Sequence, residues 1–142
     1  MKRIKIIASA LLVYVGIVAT FESLLGFFQP KGTSTIVITT TGADGVARDR
    51  VVSPIEDEGH LYVAANHWPR SWYERARKNP AVQVTRDGQK KDYAAVPVTG
   101  AEHDRIAVEH AHSIWFRFLT GFPPRYFLRL EPRADTHSTV AP

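Results

Sequence analysis

Cysteine is absent from the 142 residues, which excludes a disulfide framework, a Cys-ligated zinc or iron–sulfur centre and thiol catalysis. A bulk excess of charge is missing too. Of the 18 Lys and Arg, three are Lys2, Arg3 and Lys5, and the remaining 15 face 14 Asp and Glu, so the net charge of +4 is no phosphate-backbone footprint. No nucleic-acid-binding motif occurs, and nucleic acid is not an expected partner. Nor is there a Gly-x-Ser-x-Gly elbow, a Walker loop or a dinucleotide fingerprint, so hydrolase, nucleotidase and Rossmann dehydrogenase readings lack support. With 44% hydrophobic and 23% charged residues, 9 Gly and 9 Pro, the chain is neither disordered nor collagen-like. Its length suits one domain with a real core.

What is present begins with an apolar run. Residues Ile6 to Phe21 carry no charge, Glu22 interrupts, and Ser23 to Phe28 continue. At 1.5 Å per residue, 6 to 28 reach roughly 34 Å, enough for a tilted span of a hydrocarbon core about 30 Å thick. Apolar residues occupy every side of the helical wheel, which opposes a one-sided interfacial helix. A cleaved signal peptide shares this pattern, but no good small-x-small site follows the run, so an uncleaved anchor over 1–28 is expected. Lys2, Arg3 and Lys5 favour a cytoplasmic N-terminus and hence a periplasmic or otherwise extracytoplasmic domain. Residues 29–33 read as a linker, 34–133 as the domain and 134–142 as a flexible tail.

Within the domain, Ser34 to Thr41 is rich in β-branched residues and reads as a strand. Arg50 to Ile55 is its hairpin partner, and His60 to Ala65 a third strand. Ala81 to Thr85 and Lys91 to Val98 form a hairpin around Arg86-Asp-Gly88, the second an edge candidate because of Pro97. Tyr126 to Leu130 is the sixth. One helix starts near Pro69 and stops at Asn79-Pro80; another follows a capping box, Thr99-Gly-Ala-Glu102, and runs towards Phe116. Six strands with two or three helices and brief turns predict a mainly β, antiparallel barrel.

The densest constellation is Asn66-His-Trp-Pro-Arg-Ser-Trp-Tyr73, where the third strand meets the first helix of the domain. A helix N-terminus attracts anions. Arg70 adds a bidentate grip, and Trp68, Trp72 and Tyr73 offer flat surfaces to a ring. The same residues also serve to lock a helix onto a sheet. His67 is a candidate general acid or hydrogen-bond donor, with packing as the alternative. Arg48 and Arg50 flank the second strand and are candidates to face an anion. Glu109-His-Ala-His112 has no apparent third ligand, and no metal is expected. The aromatic stretch Ile114 to Phe127 is suited to walling a planar-ligand pocket, docking on a membrane beside the anchor, or packing the core.

Ile36-Val-Ile-Thr-Thr-Thr-Gly42, Arg50 opening the next strand, Leu61-Tyr-Val-Ala-Ala-Asn66, Trp72-Tyr73 and Asn79-Pro-Ala-Val-Gln-Val84 resemble the deazaflavin-dependent nitroreductase and quinone reductase family. The match runs from about Ser34 to Pro132. It implies a split β-barrel related to the flavin-binding pyridoxamine-phosphate oxidases, with the deazaflavin coenzyme F-420 as cofactor and FMN as the alternative. It also implies hydride transfer to a quinone-like or nitroaromatic acceptor, a membrane anchor favouring the lipophilic quinone. Arg48, Arg50, Ala65, Asn66, His67, Trp68, Arg70, Trp72 and Tyr73 fall in the implied coenzyme region. The turn Gly42-Ala-Asp-Gly45 carries Asp44 where the family places an Arg-Lys pair on the phosphate, so Arg48, Arg50 or Arg70 takes that role, or the barrel is a non-catalytic binding protein for a lipophilic ligand or partner. Split barrels of this kind commonly form homodimers.

Overall fold

The computed structural model describes residues 2–27, 35–66 and 70–134. The expected linker, His67, Trp68 and the tail from residue 135 lie outside the described residues. Helix α1 (Lys2–Phe27) runs without a break through Glu22. Its segment Lys2–Leu25 is long and apolar enough to cross a membrane.

Among the described residues seven strands follow, one more than the sequence patterning indicates. They are β1 (Ile36–Thr41), β2 (Ala47–Val52), β3 (Pro54–Asp57), β4 (His60–Ala65), β5 (Ala81–Arg86), β6 (Gln89–Pro97) and β7 (Tyr126–Pro132). The extra strand arises because the stretch 50–55 is split at Ser53, β2 pairing with β1 and β3 with β4. The sheet order is β2-β1-β5-β6-β7-β4-β3, so its two outermost strands are consecutive in sequence. A single residue between them limits their separation to about 7 Å. The sheet is therefore forced to curl until its edges approach, which makes a split half-barrel. Pro97 does not mark an edge: β6 lies between β5 and β7. Pro97 is the last residue of β6, where a missing N–H costs the ladder little.

The turns obey local chemistry. Asp87 and Gly88 both have positive φ, 51° and 77°, as a two-residue hairpin matching strand twist requires. Helix α2 (Ser71–Lys78) buries Trp72, Tyr73 and Ala76 against Ile38, Val63, Val84 and Leu128 in the main core. Helix α3 (Gly100–Glu109) covers a second cluster of Tyr62, Val98, Ile106 and Phe127. The expected capping box does not form: Thr99 makes no side-chain cap, and the Glu102 carboxylate instead accepts from the Tyr62 hydroxyl at 2.8 Å and from Arg129 at 2.7 and 2.9 Å. These bonds, with Arg129 foremost, hold the Glu102 carboxyl below its ordinary range. The second helix does not continue to Phe116. Ser113 caps a separate short helix α4 (Ile114–Leu119), accepting from the Phe116 N–H at 3.3 Å.

His103 joins α3 to the approach to β7, its Nε2 lying 3.0 Å from the Arg125 carbonyl and its Nδ1 3.2 Å from Asp104. The carbonyl, then the carboxylate, raise its pKa above 6.5. A raised folded-state pKa means that the imidazolium stabilises the fold fully below the unfolded value and that this contribution fades as pH climbs through the folded one. Urea midpoints are therefore expected to fall from pH 6 to pH 8, and His103→Gln to flatten that slope.

Candidate coenzyme cleft

At the seam between the sheet's two edges lies a cleft of about 570 Å³, within the range of small-molecule sites. Its walls come from β2 and the joint to β3 (Arg50, Val52, Ser53), from the end of β4 (Ala64, Ala65, Asn66) and from Trp72 of α2. Leu25 of α1 and the segment His110, Ala111 and His112 border it as well, and Arg125 closes it. Four basic or titratable nitrogen side chains, Arg50, Arg125, His110 and His112, thus meet an apolar wall. No Asp or Glu lines it among the described residues.

Arg125 is the best-held of these groups. Its Nε donates to Asn66 Oδ1 at 2.9 Å, its Nη1 to the His110 carbonyl at 2.7 Å, and its guanidinium lies 4.9 Å from the Phe127 ring centroid. Burial, with Arg117 adding repulsion, lowers its pKa from the ordinary arginine value, yet an arginine stays charged. A desolvated, oriented guanidinium is a strong anion partner because little water competes with it.

The structure brings Arg50, Ala65, Asn66 and Trp72 together in this cleft. Three other residues singled out in the sequence do not line it. Arg48 is engaged by Asp44 at 2.6 Å, and this partner holds the Asp44 carboxyl at about 2, so the acidic turn neutralises itself. Arg70 is buried, donates to the Pro124 carbonyl at 2.7 Å and lies 4.8 Å over Tyr126. It ties α2 to the entrance of β7. Tyr73 stacks on Tyr126 with ring centroids 5.5 Å apart. His67 and Trp68 lie outside the described residues. Asp57, Glu109 and His110 place ligand atoms within 4.8 Å of one another, but Arg105 is ion-paired with both carboxylates, which matches a basic side chain rather than a metal ion. Of the remaining cleft residues, Ser53 carries no signal in the sequence, His110 and His112 stand out there only as a metal-ligand pattern, and Arg125 only within the aromatic stretch 114–127.

A family model described as F420H(2)-dependent quinone reductase matches residues 17–117. The chain belongs to that family. Membership makes it an oxidoreductase of the deazaflavin-dependent class, with that coenzyme as its cofactor. Comparison with curated proteins finds no match. Among solved structures, one described as a domain-swapped dimer aligns with TM-score 0.55 and 25% identity, over 69% of this chain and 80% of the other. A protein of unknown function from Agrobacterium tumefaciens str. C58 aligns with TM-score 0.57 and 14% identity, over 71% of this chain and 49% of that one. A nimc/nima family protein from Clostridium acetobutylicum gives TM-score 0.51 and 17% identity, over 69% and 73%. The last two establish the fold only.

The cleft suits the reductase family's coenzyme on this structure's own terms. A phosphorylated, planar molecule needs cations at one part of its site and apolar surface at another, and Arg50 and Arg125 stand with Val52, Ala65 and Trp72 around one space.

Proposed function

We propose that the chain is a membrane-anchored reductase, held by α1, which binds the deazaflavin coenzyme in the seam cleft and reduces a quinone. The observation that carries this reading is the combination of two arginines, an apolar wall and, among the described residues, no lining carboxylate. Arg50 and Arg125 would hold the acidic part of the coenzyme, while Val52, Ala64, Ala65 and Trp72 would exclude water from its ring. Hydride chemistry is supplied by the coenzyme when bound. The chain's own residues bind, orient and desolvate. Asn66, fixed by Arg125 at 2.9 Å, keeps its amide in a defined direction at the cleft.

The test is a titration of the detergent-solubilised full chain with the oxidised coenzyme, with FMN in parallel, following tryptophan fluorescence. Saturable quenching by the deazaflavin in the micromolar range is expected, since Trp72 is in the wall. Quenching by neither compound at high micromolar concentration would remove the reading. Loss of reduced coenzyme on adding a short-chain quinone then establishes turnover. For topology, the three cations at the N-terminus argue for an extracytoplasmic domain, so a reporter active only in the cytoplasm and fused after Pro142 should stay silent. A cytoplasmic signal would instead give the cleft direct access to reduced coenzyme.

A further inference from the structure

We infer that α4 is a second membrane-contacting element, immersed in the near leaflet beside α1. This goes beyond the proposed anchoring by α1, on which it rests. Helix α1 does not stand clear of the domain. Tyr14, Val18, Phe21, Glu22 and Leu25 are its half-buried positions, a spacing that marks one helical face. That face meets α4: the Tyr14 hydroxyl donates to the Phe118 carbonyl at 2.9 Å, the two rings lie 4.9 Å apart, and Phe21 packs edge-on against Phe116 at 6.0 Å. Val18 lies where a Cβ on Gly121 would come within 3.0 Å of it, so glycine permits this close approach.

Depth follows from helix geometry. Tyr14 precedes Leu25 by eleven residues, about 16 Å along the axis, and half a hydrocarbon core is about 15 Å. If α1 crosses the membrane, with Lys2, Arg3 and Lys5 at the far surface, Tyr14 is near mid-depth, and Phe118 goes with it. Should α1 lie flat instead, α4 still lies along it in the interface. Both geometries wet α4 with lipid.

The composition of α4 agrees. Between Ile114 and Phe122 four large apolar side chains are open, Ile114 at 61%, Trp115 at 76%, Phe118 at 44% and Phe122 at 47%. Such a patch is unusual on a water-exposed surface, and it is continuous with the exposed apolar sides of α1. Arg117, the one charge in α4, lies 5.4 Å over the Phe122 ring and has the long stem that lets a guanidinium reach headgroups from below.

Because the chain lacks cysteine, single-Cys variants report without background. Ile114→Cys, Trp115→Cys, Ile7→Cys on the open side of α1 and Lys90→Cys on the distant β5–β6 hairpin all replace exposed side chains, so folding is not at stake. Each full-length variant is nitroxide-labelled and reconstituted into phosphatidylcholine–phosphatidylglycerol vesicles, and collision with oxygen is compared with collision with a water-soluble nickel chelate. Labels at 7, 114 and 115 are expected to favour oxygen at least threefold over the label at 90. Aqueous behaviour at 114 and 115 with lipid exposure at 7 would overturn the inference and leave the anchor standing. Aqueous behaviour at all three would overturn both.

Discussion

Arg125→Ala is expected to weaken the deazaflavin coenzyme ten- to a hundredfold in Kd. A charge-assisted contact to an acidic group is worth about 1.5 to 3 kcal/mol, and each 1.4 kcal/mol is tenfold. Arg125 also fixes Asn66 and the His110 carbonyl, so the loss includes orientation of the cleft wall. Arg125→Lys separates the two effects: it keeps the positive charge but lacks the planar fork, and should recover part of the affinity. Arg50→Ala should act in the same direction on binding, whereas Arg48→Ala, which removes a guanidinium already paired with Asp44, should leave Kd within a factor of two. Fluorescence titration of the four variants beside the parent checks the order. Equal affinity in Arg125→Ala and parent would place the anion elsewhere.

Phe127→Ala should be the most damaging single change to the fold, costing about 3 to 5 kcal/mol. Phe127 is fully buried in β7 among Tyr62, Val98 and Ile106, with the His103 ring 5.3 Å and the Arg125 guanidinium 4.9 Å from it. Truncation therefore opens a cavity at the point where α3 meets the sheet. For a domain of this size the midpoint of thermal unfolding should drop by roughly 12 °C or more. Val108→Ala on the same layer, 75% exposed, should change stability by no more than about 0.5 kcal/mol. Circular dichroism melts of the two variants make the comparison.

Strand positions were legible wherever local chemistry decided them. The β-branched run at Ile36, the Asp87-Gly88 turn and the stop at Asn79-Pro80 are short-range signals, and each element formed within a few residues of its expected place. The joint at Ser53 was not legible, because a continuous strand and two strands on opposite edges share one local pattern. Only pairing partners distant in the chain distinguish them. The cleft followed the same rule. Arg50, Asn66 and Trp72 are themselves among the residues that carry the family resemblance, while Arg125 reaches Asn66 across 59 positions through the pairing of β4 with β7. Arg70 shows the converse: a cation at a helix start suggests an anion, and nothing local announces its contacts with Pro124 and Tyr126.

The place of β7 in the sheet also bears on how the protein comes into being. Among the described strands it is the last to leave the ribosome, and it joins β6 to β4. Until it arrives, the sheet exists as two fragments, β2-β1-β5-β6 and β4-β3, each with an unsatisfied edge. The apolar α1, by contrast, precedes all of these strands and emerges while both edges are still open. Barrel closure is thus a late, long-range event, and the interval before it is when strand mispairing and edge-to-edge association threaten this chain most.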